Sequence, residues 1–270
     1  MSDLRDQRAP DGTAYDLTGP DNGHPVVLVH GLGLSRRLWD PHLPAFLSRR
    51  HLVLAYDLYG HGGSAPPSTE ASLSVYAHQI VSLLDTLEIE QAAIVGFSIG
   101  GMINRRFALD HPDRVSALVI LNSPHDRGEE AQEQVEARAL TVKDQGAMAT
   151  MDAALVRWFT PGHLERQPED EAQVRHWRNQ VDPESYAQAA WVLANGVREL
   201  IAPEPPIALQ TLVMTGENDS GSTPAMSQAI AAEIAGAETV IVDRLQHLGL
   251  MEQPVTFSEP ILDFLDRTLS

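Results

Sequence analysis

Ser98, Asp219 and His247 are the residues whose types and order can perform nucleophilic chemistry in this chain. Ser98 stands in Gly96-Phe97-Ser98-Ile99-Gly100, after the apolar run Ala92-Ala93-Ile94-Val95 and before a helix-like segment from Gly101 to Leu109. A Ser flanked by Gly at a strand-to-helix junction is the sequence form of a nucleophile elbow. The turn is tight enough that side chains at the flanking positions would collide, and Gly has no Cβ to collide with. The hydroxyl then stands above the strand ends, beside a helix N-terminus. A G-x-S-x-G match alone arises by chance in roughly one chain in ten of this length, given ordinary Gly and Ser usage. Partners in the right order decide whether it means anything.

Those partners are present. His30-Gly31-Leu32-Gly33-Leu34-Ser35 follows the apolar run from Pro25 to Val29. A hydroxyl attacking a carbonyl makes the carbonyl oxygen negative, and backbone N–H groups in a Gly-rich loop can approach it closely. The expected donors are Leu32 and Ile99, the second being the residue after the nucleophile. His30 precedes Ser98 and is expected to support the loop. Asp219, in Thr215-Gly216-Glu217-Asn218-Asp219, is the expected acid, able to orient an imidazole and stabilise its cation. Glu217 is its nearest rival, Asp243 and Asp126 are weaker ones, and a turn or helix-cap role before Thr223-Pro224 is the default for such an Asp. His247, in Gln246-His247-Leu248-Gly249, follows the last apolar run and alone among eleven histidines is placed to reach back to Ser98. His111 reads as a helix C-terminal residue and His61 as a turn residue. His42, His51, His163 and His176 are expected at the surface.

The elements that must position these residues are legible as periodicity. Short unbroken apolar runs at Pro25–Val29, Leu52–Tyr56, Ala92–Val95, Val115–Leu121, Leu212–Met214 and Thr239–Val242 read as strands buried on both faces of a parallel sheet. Between them, Ser72–Leu87 carries apolar residues at 73, 76, 80, 83, 84 and 87, close to a helical period. Gly101–Leu109, Thr223–Ile234 and Val255–Leu265 are the other helices. The alternation predicts a doubly wound, mostly parallel α/β sheet. Residues 126–205 break it: they are rich in Ala, Glu and Gln, hold three of the four Trp residues and contain no convincing strand. The sheet pattern resumes at Leu212. The expectation is a core formed by 1–125 and 206–270, with 126–205 a helical lid over the strand ends, where open α/β sheets bind ligands. The first ten or so residues read as loosely ordered.

Composition narrows the function. With 270 residues and 43% hydrophobic content the chain can build one large domain with an insertion. There is no cysteine, so disulfides, thiolate metal sites and a Cys nucleophile are excluded. The formal charge of −18 argues against nucleic-acid partners and gives no long-range help in steering an anionic small molecule, although a local Arg could still bind one. The N-terminal segment lacks the apolar centre of a secretory signal, and no apolar run reaches the ~20 residues of a membrane helix. The expectation is a cytoplasmic protein with a small-molecule substrate, no membrane association, no cofactor and no metal. No Gly-rich nucleotide loop ending in Gly-Lys occurs, and no His/Asp/Glu cluster has ligand spacing.

Taken together, the order Ser98, Asp219, His247 resembles the α/β-hydrolase superfamily over about the whole chain. Tyr56-Asp57-Leu58-Tyr59-Gly60-His61-Gly62-Gly63-Ser64 resembles that superfamily's Asp-x-x-Gly-His-Gly-x-Ser stretch, and His111-Pro112-Asp113-Arg114-Val115 its usual lead into the sixth strand. Arg157-Trp158-Phe159-Thr160-Pro161, Asp182-Pro183-Glu184-Ser185-Tyr186-Ala187, and His247-Leu248 with Glu252-Gln253-Pro254 resemble the lid and C-terminal motifs of 3-oxoadipate enol-lactonases. The resemblance implies a serine hydrolase cleaving a small ester or lactone through an acyl-enzyme. Asn195-Gly196-Val197-Arg198 departs from the lactonase pattern, and His30-Gly31-Leu32-Gly33 is similar to the wider esterase type. Relatives that hydrolyse carbon–carbon bonds often carry Trp after the catalytic His, where this chain has Leu248. Cofactor-free perhydrolases and non-catalytic ligand receptors on the same fold are the remaining alternatives. Trp158 is the candidate substrate-binding residue, with lid packing the competing role. Arg157 or Arg198 could bind a substrate carboxylate, with solvated surface the default for each.

Overall fold

The computed structural model describes residues 2–40 and 42–269. Eight strands form one sheet: β1 (Ser2–Arg8), β2 (Ala14–Gly19), β3 (His24–Val29), β4 (His51–Tyr56), β5 (Ala92–Phe97), β6 (Val115–Leu121), β7 (Thr211–Gly216) and β8 (Glu238–Val242). Their spatial order is β1-β2-β4-β3-β5-β6-β7-β8. Every pairing from β4 to β8 is parallel, and β2 joins antiparallel to both β1 and β4. The helices are α1 (His42–Leu47), α2 (Leu73–Thr86), α3 (Ile99–Asp110), α4 (Glu129–Gln145), α5 (Met151–Trp158), α6 (His163–Arg166), α7 (Pro168–Asn179), α8 (Pro183–Asn195), α9 (Pro224–Ala232), α10 (Gly249–Glu252) and α11 (Pro254–Thr268).

The sheet is covered on both faces, which is why its central strands read as unbroken apolar runs. Alternate residues Val27, Val29, Ile94, Leu118, Ile120 and Val213 pack with α2, α3 and α9. Their neighbours Val26, Leu28, Val95, Val119, Leu212 and Met214 pack on the other side with α1 and α11. Helix starts are fixed locally: Ser72 Oγ accepts from Val75 N at 3.1 Å, and Thr223 Oγ1 accepts from Met226 N at 3.3 Å.

One expectation about the fold fails. The N-terminal residues are ordered as the edge strand β1, not loose. Its sequence, Ser-Asp-Leu-Arg-Asp-Gln-Arg, has no apolar alternation because Leu4 is 46% exposed and little of the strand is buried. Backbone pairing to β2 and polar contacts hold it instead: Asp6 N donates to Asp16 Oδ1 at 2.7 Å, and Arg37 Nη2 to Asp6 Oδ1 at 2.7 Å.

Helices α4 to α8 all lie between β6 and β7 in sequence, so the lid is inserted after the sixth strand as expected. Its own small core joins Ala139 and Val142 of α4 to Tyr186, Ala190 and Ala194 of α8. Among the described residues, no helix is long and apolar enough to cross a membrane.

Candidate active site

Ser98 sits between the last residue of β5 and the first of α3, with φ 58° and ψ −116°. A left-handed φ is costly for a non-Gly residue, about 1–3 kcal/mol, and must be held by its surroundings. The surroundings are close. A Cβ on Gly100 would lie 2.2 Å from the Val29 carbonyl oxygen, and one on Gly96 would lie 2.2 Å from that of Gly100. The two glycines thus let α3 begin directly against the end of β3. The Ser98 N–H donates to Leu121 O at 2.8 Å, fixing the turn to β6 as well. The Ile99 N–H is the first of α3 and has no intrahelical acceptor. Leu32 comes from the loop after β3.

Asp219 follows β7 and is 2% exposed. Its Oδ1 accepts from the Gly221 and Ser222 N–H groups, each at 2.9 Å. Its Oδ2 accepts from Asn122 Nδ2 at 2.9 Å and meets His247 Nδ1 at 2.7 Å. Burial would raise this carboxyl, but the neighbouring His247 and the Asn122 and Ser222 donors outweigh it and hold it below the ordinary aspartate value. The helix cap considered for Asp219 belongs to Thr223. Glu217 is exposed and accepts from the Arg244 N–H at 2.9 Å.

Asn122 was not expected. It sits at φ 46° immediately after β6 and also donates to Thr215 Oγ1 at 3.3 Å. Its only signal in the sequence is a polar residue closing a strand of seven otherwise mostly apolar positions.

His247 lies on the loop after β8, its ring centroid 5.0 Å from that of Phe97 and 6.2 Å from that of Trp158. The lid grips this loop at two points. The Leu248 N–H donates to Trp158 O at 2.8 Å, and Glu252 accepts from Thr160 N at 2.8 Å and Thr160 Oγ1 at 2.5 Å.

Ser98, Asp219, His247, Leu32 and Trp158 line one cavity of about 150 Å³ beneath the lid. That is the size of an engineered cavity that accepts benzene. Ile99 is fully buried behind Ser98, and only its backbone can serve the cavity. Arg157 lines the cavity too, whereas Arg198 is exposed and paired with Glu136 at 2.9 Å. Arg127, Arg138 and Arg178 also line it and were not expected. For two of them a signal existed. Val135, Arg138, Ala139 and Val142 share one face of α4 at i, i+3, i+4 and i+7, and Val174, Trp177 and Arg178 share the buried face of α7.

The other histidines considered in the sequence sort by surroundings. His30 is buried, receives Leu58 N at Nε2 (3.0 Å) and bonds Gly31 O through Nδ1 at 2.8 Å, so it supports the loop as expected; burial lowers its pKa to about 4. His61 bonds Tyr59 O at 3.1 Å within its turn, and His111 closes α3. His42 and His176 are exposed. His51 and His163 are not surface residues. His51 is buried against Asp266 at 3.2 Å, and His163 is stacked on Phe159 and bonded to Asp170 at 2.7 Å. Both take their setting from tertiary packing that neighbouring sequence does not encode. Among the described residues, no three His, Asp or Glu side chains are grouped as a metal site requires.

Comparison with known proteins places this geometry in context. Residues 24–254 match the alpha/beta hydrolase fold family. A 3-oxoadipate enol-lactonase of Acinetobacter baylyi is 29% identical over 92% of this chain and 90% of its own length. An (E)-2-((N-methylformamido)methylene)succinate hydrolase of the same organism is 26% identical over 91% and 92%. The crystal structure of the enol-lactonase from Burkholderia xenovorans superposes with a TM-score of 0.86, at 31% identity, covering 94% of this chain and 96% of that one.

Proposed function

The chain belongs to the alpha/beta hydrolase fold family, and from that premise we propose that it is a serine hydrolase cleaving a small carboxylic ester or lactone through an acyl-enzyme on Ser98. One observation carries the reading: Ser98 and His247 border the same cavity, while the far nitrogen of His247 is fixed 2.7 Å from a buried Asp219 carboxylate. A carboxylate so placed keeps a proton on Nδ1 and leaves Nε2 free to act as base. The similarity to enol-lactonases supports a lactone or ester of modest size, and a cavity of about 150 Å³ agrees with that.

The reaction runs in two halves. His247 takes the Ser98 proton as the hydroxyl oxygen attacks the carbonyl carbon. The Leu32 and Ile99 N–H groups receive the developing oxyanion. The imidazolium, steadied by Asp219, protonates the leaving oxygen, and an enol leaving group then becomes a ketone. Water activated by His247 releases the acid and restores Ser98. Trp158, its ring centroid 6.2 Å from that of His247, covers the base from the lid side. No cofactor takes part.

A stoichiometric burst of p-nitrophenol from a short-chain ester, with an acyl mass increment on the Ser98 peptide, is the test. A folded sample that gives neither burst nor turnover rejects the reading in favour of a ligand receptor.

A further inference from the structure

Four arginines, Arg127, Arg138, Arg157 and Arg178, line the cavity against a single carboxylate, Asp219, which is already engaged by His247. This is unusual within the chain. Acids outnumber Lys and Arg by 37 to 19, and among the described residues nine other arginines pair with one. None of these four does. Arg127 is anchored on neutral groups, donating to the Leu193 and Ala194 carbonyls at 3.0 and 3.3 Å. Arg157 donates to Ala153 O at 2.7 Å. Arg178, 2% exposed, donates to Thr150 Oγ1 at 2.6 Å, lies over the rings of Tyr186 and Trp158, and leaves its Nε without a partner. Arg138 has no hydrogen-bond partner among the described residues.

Neutral anchors hold Arg127, Arg157 and Arg178 in place without neutralising them. Burial makes each a weaker base, Arg127 reaching about 10; repulsion from a neighbouring arginine adds to this for Arg127, Arg138 and Arg178, while Asp219 offsets part of it for Arg157. A carboxylate presents two oxygens with about four acceptor sites, so bidentate pairing fills it with two guanidinium groups. Paired in that way, four guanidinium groups match two carboxylates. We propose that the substrate is a dianion: an ester or lactone carrying two carboxylates besides the scissile carbonyl, held by Arg127 and Arg138 from the α4 side and by Arg157 and Arg178 from the α5 and α7 side. This rests on the hydrolase reading of the same cavity and names its substrate class.

The test separates the two. Turnover is measured with three p-nitrophenyl esters: butyrate (neutral), glutarate (one free carboxylate) and tricarballylate (two). Binding is measured by calorimetry on the Ser98→Ala protein with glutarate and with butyrate. kcat/KM should rise with each carboxylate, and glutarate should bind at least about tenfold more tightly than butyrate. Arg138→Gln and Arg178→Gln should each lower the tricarballylate-to-butyrate ratio of kcat/KM by about ten- to a hundredfold, the loss of one charge-assisted hydrogen-bonding partner. Arg198→Gln, outside the cavity, should leave that ratio unchanged. Arg138 is only half-buried, so its variant remains informative if Arg178→Gln does not fold. Equal turnover of the three esters, or a ratio untouched by Arg138→Gln, overturns the dianion site and leaves the hydrolase standing. Glutarate binding without turnover of any ester supports the site and rejects the hydrolase.

Discussion

Asp219→Asn is the sharpest probe of the proposed chemistry, because the structure says which way the new amide must turn. Oδ1 accepts two backbone N–H groups at 2.9 Å, from Gly221 and Ser222. The asparagine oxygen has to stay there, so the new NH2 points at His247 Nδ1 and at the Asn122 amide. Nδ1 must then accept instead of donate. The imidazole proton moves to Nε2, the atom that should take the proton of Ser98. Such a tautomer error lowers kcat by ~10⁴ in triads of this design, equivalent to about 5.5 kcal/mol of transition-state stabilisation. Folding suffers less. The Asn122 amide loses the shorter of its two acceptors, keeping Thr215 Oγ1 at 3.3 Å, at a cost of about 1–3 kcal/mol, while removing a buried charge offsets part of that. Steady-state hydrolysis of p-nitrophenyl acetate, with far-UV circular dichroism to check the fold, measures both. Glu217→Gln is the control, since Glu217 is exposed and, among the described residues, its carboxylate bonds only the Arg244 N–H. A variant Asp219→Asn within tenfold of the parent kcat, or a Glu217→Gln that is worse, would refute the assignment of the acid.

Three further outcomes are expected. Ser98→Gly should abolish ester turnover yet raise the denaturation midpoint, because φ 58° costs Gly nothing; about 1–3 kcal/mol of strain is relieved against about 0.5–1 kcal/mol of lost chain entropy. A lowered midpoint would show that the elbow is unstrained. Gly100→Ala should destabilise the protein by about 3 kcal/mol or more in urea titrations, since its Cβ would sit 2.2 Å from the Val29 oxygen; a parent-like midpoint contradicts the close approach of α3 to β3. Stability should fall as pH drops from 6.5 towards 4. Burial depresses His30 to about 4 and His61 to about 3, so below 6.5 the unfolded chain binds protons that the folded chain refuses, and each histidine removes up to about 1.4 kcal/mol per pH unit. Equal urea midpoints at pH 7 and pH 4.5 would show that these two rings are not held neutral.

The sheet was legible because its central strands are buried on both faces and therefore spell themselves as apolar runs. β5 is buried at all six positions. β1 was not legible, because an edge strand held by backbone pairing and an Asp–Arg network needs no apolar residue. Ser98, Asp219 and His247 could be picked out as candidates since each follows a strand directly or within a short loop, and chain order arranges them. The arginines of the lid were harder. Their facing depends on how α4, α5 and α7 settle on the core, and one Arg on a helix looks like any solvated charge. Arg138 and Arg178 nevertheless interrupt apolar stripes, and a charge within a buried stripe is the trace such a residue leaves. His163 left no comparable trace, as its partners Phe159 and Asp170 become meaningful only once α6 and α7 fold against each other.

The bond from the Leu248 N–H to the Trp158 carbonyl joins the roof to the loop that carries His247, the proposed general base. Lifting the α5 end of the roof would therefore pull on the imidazole's own support and uncover its ring. A ligand that entered by that route would meet a disarmed catalyst, and the machinery would be whole again only after the roof came down. Among the described residues, the side where α4 packs on α8 carries no such bond to residue 248. Opening on that side would leave the Leu248–Trp158 bond intact.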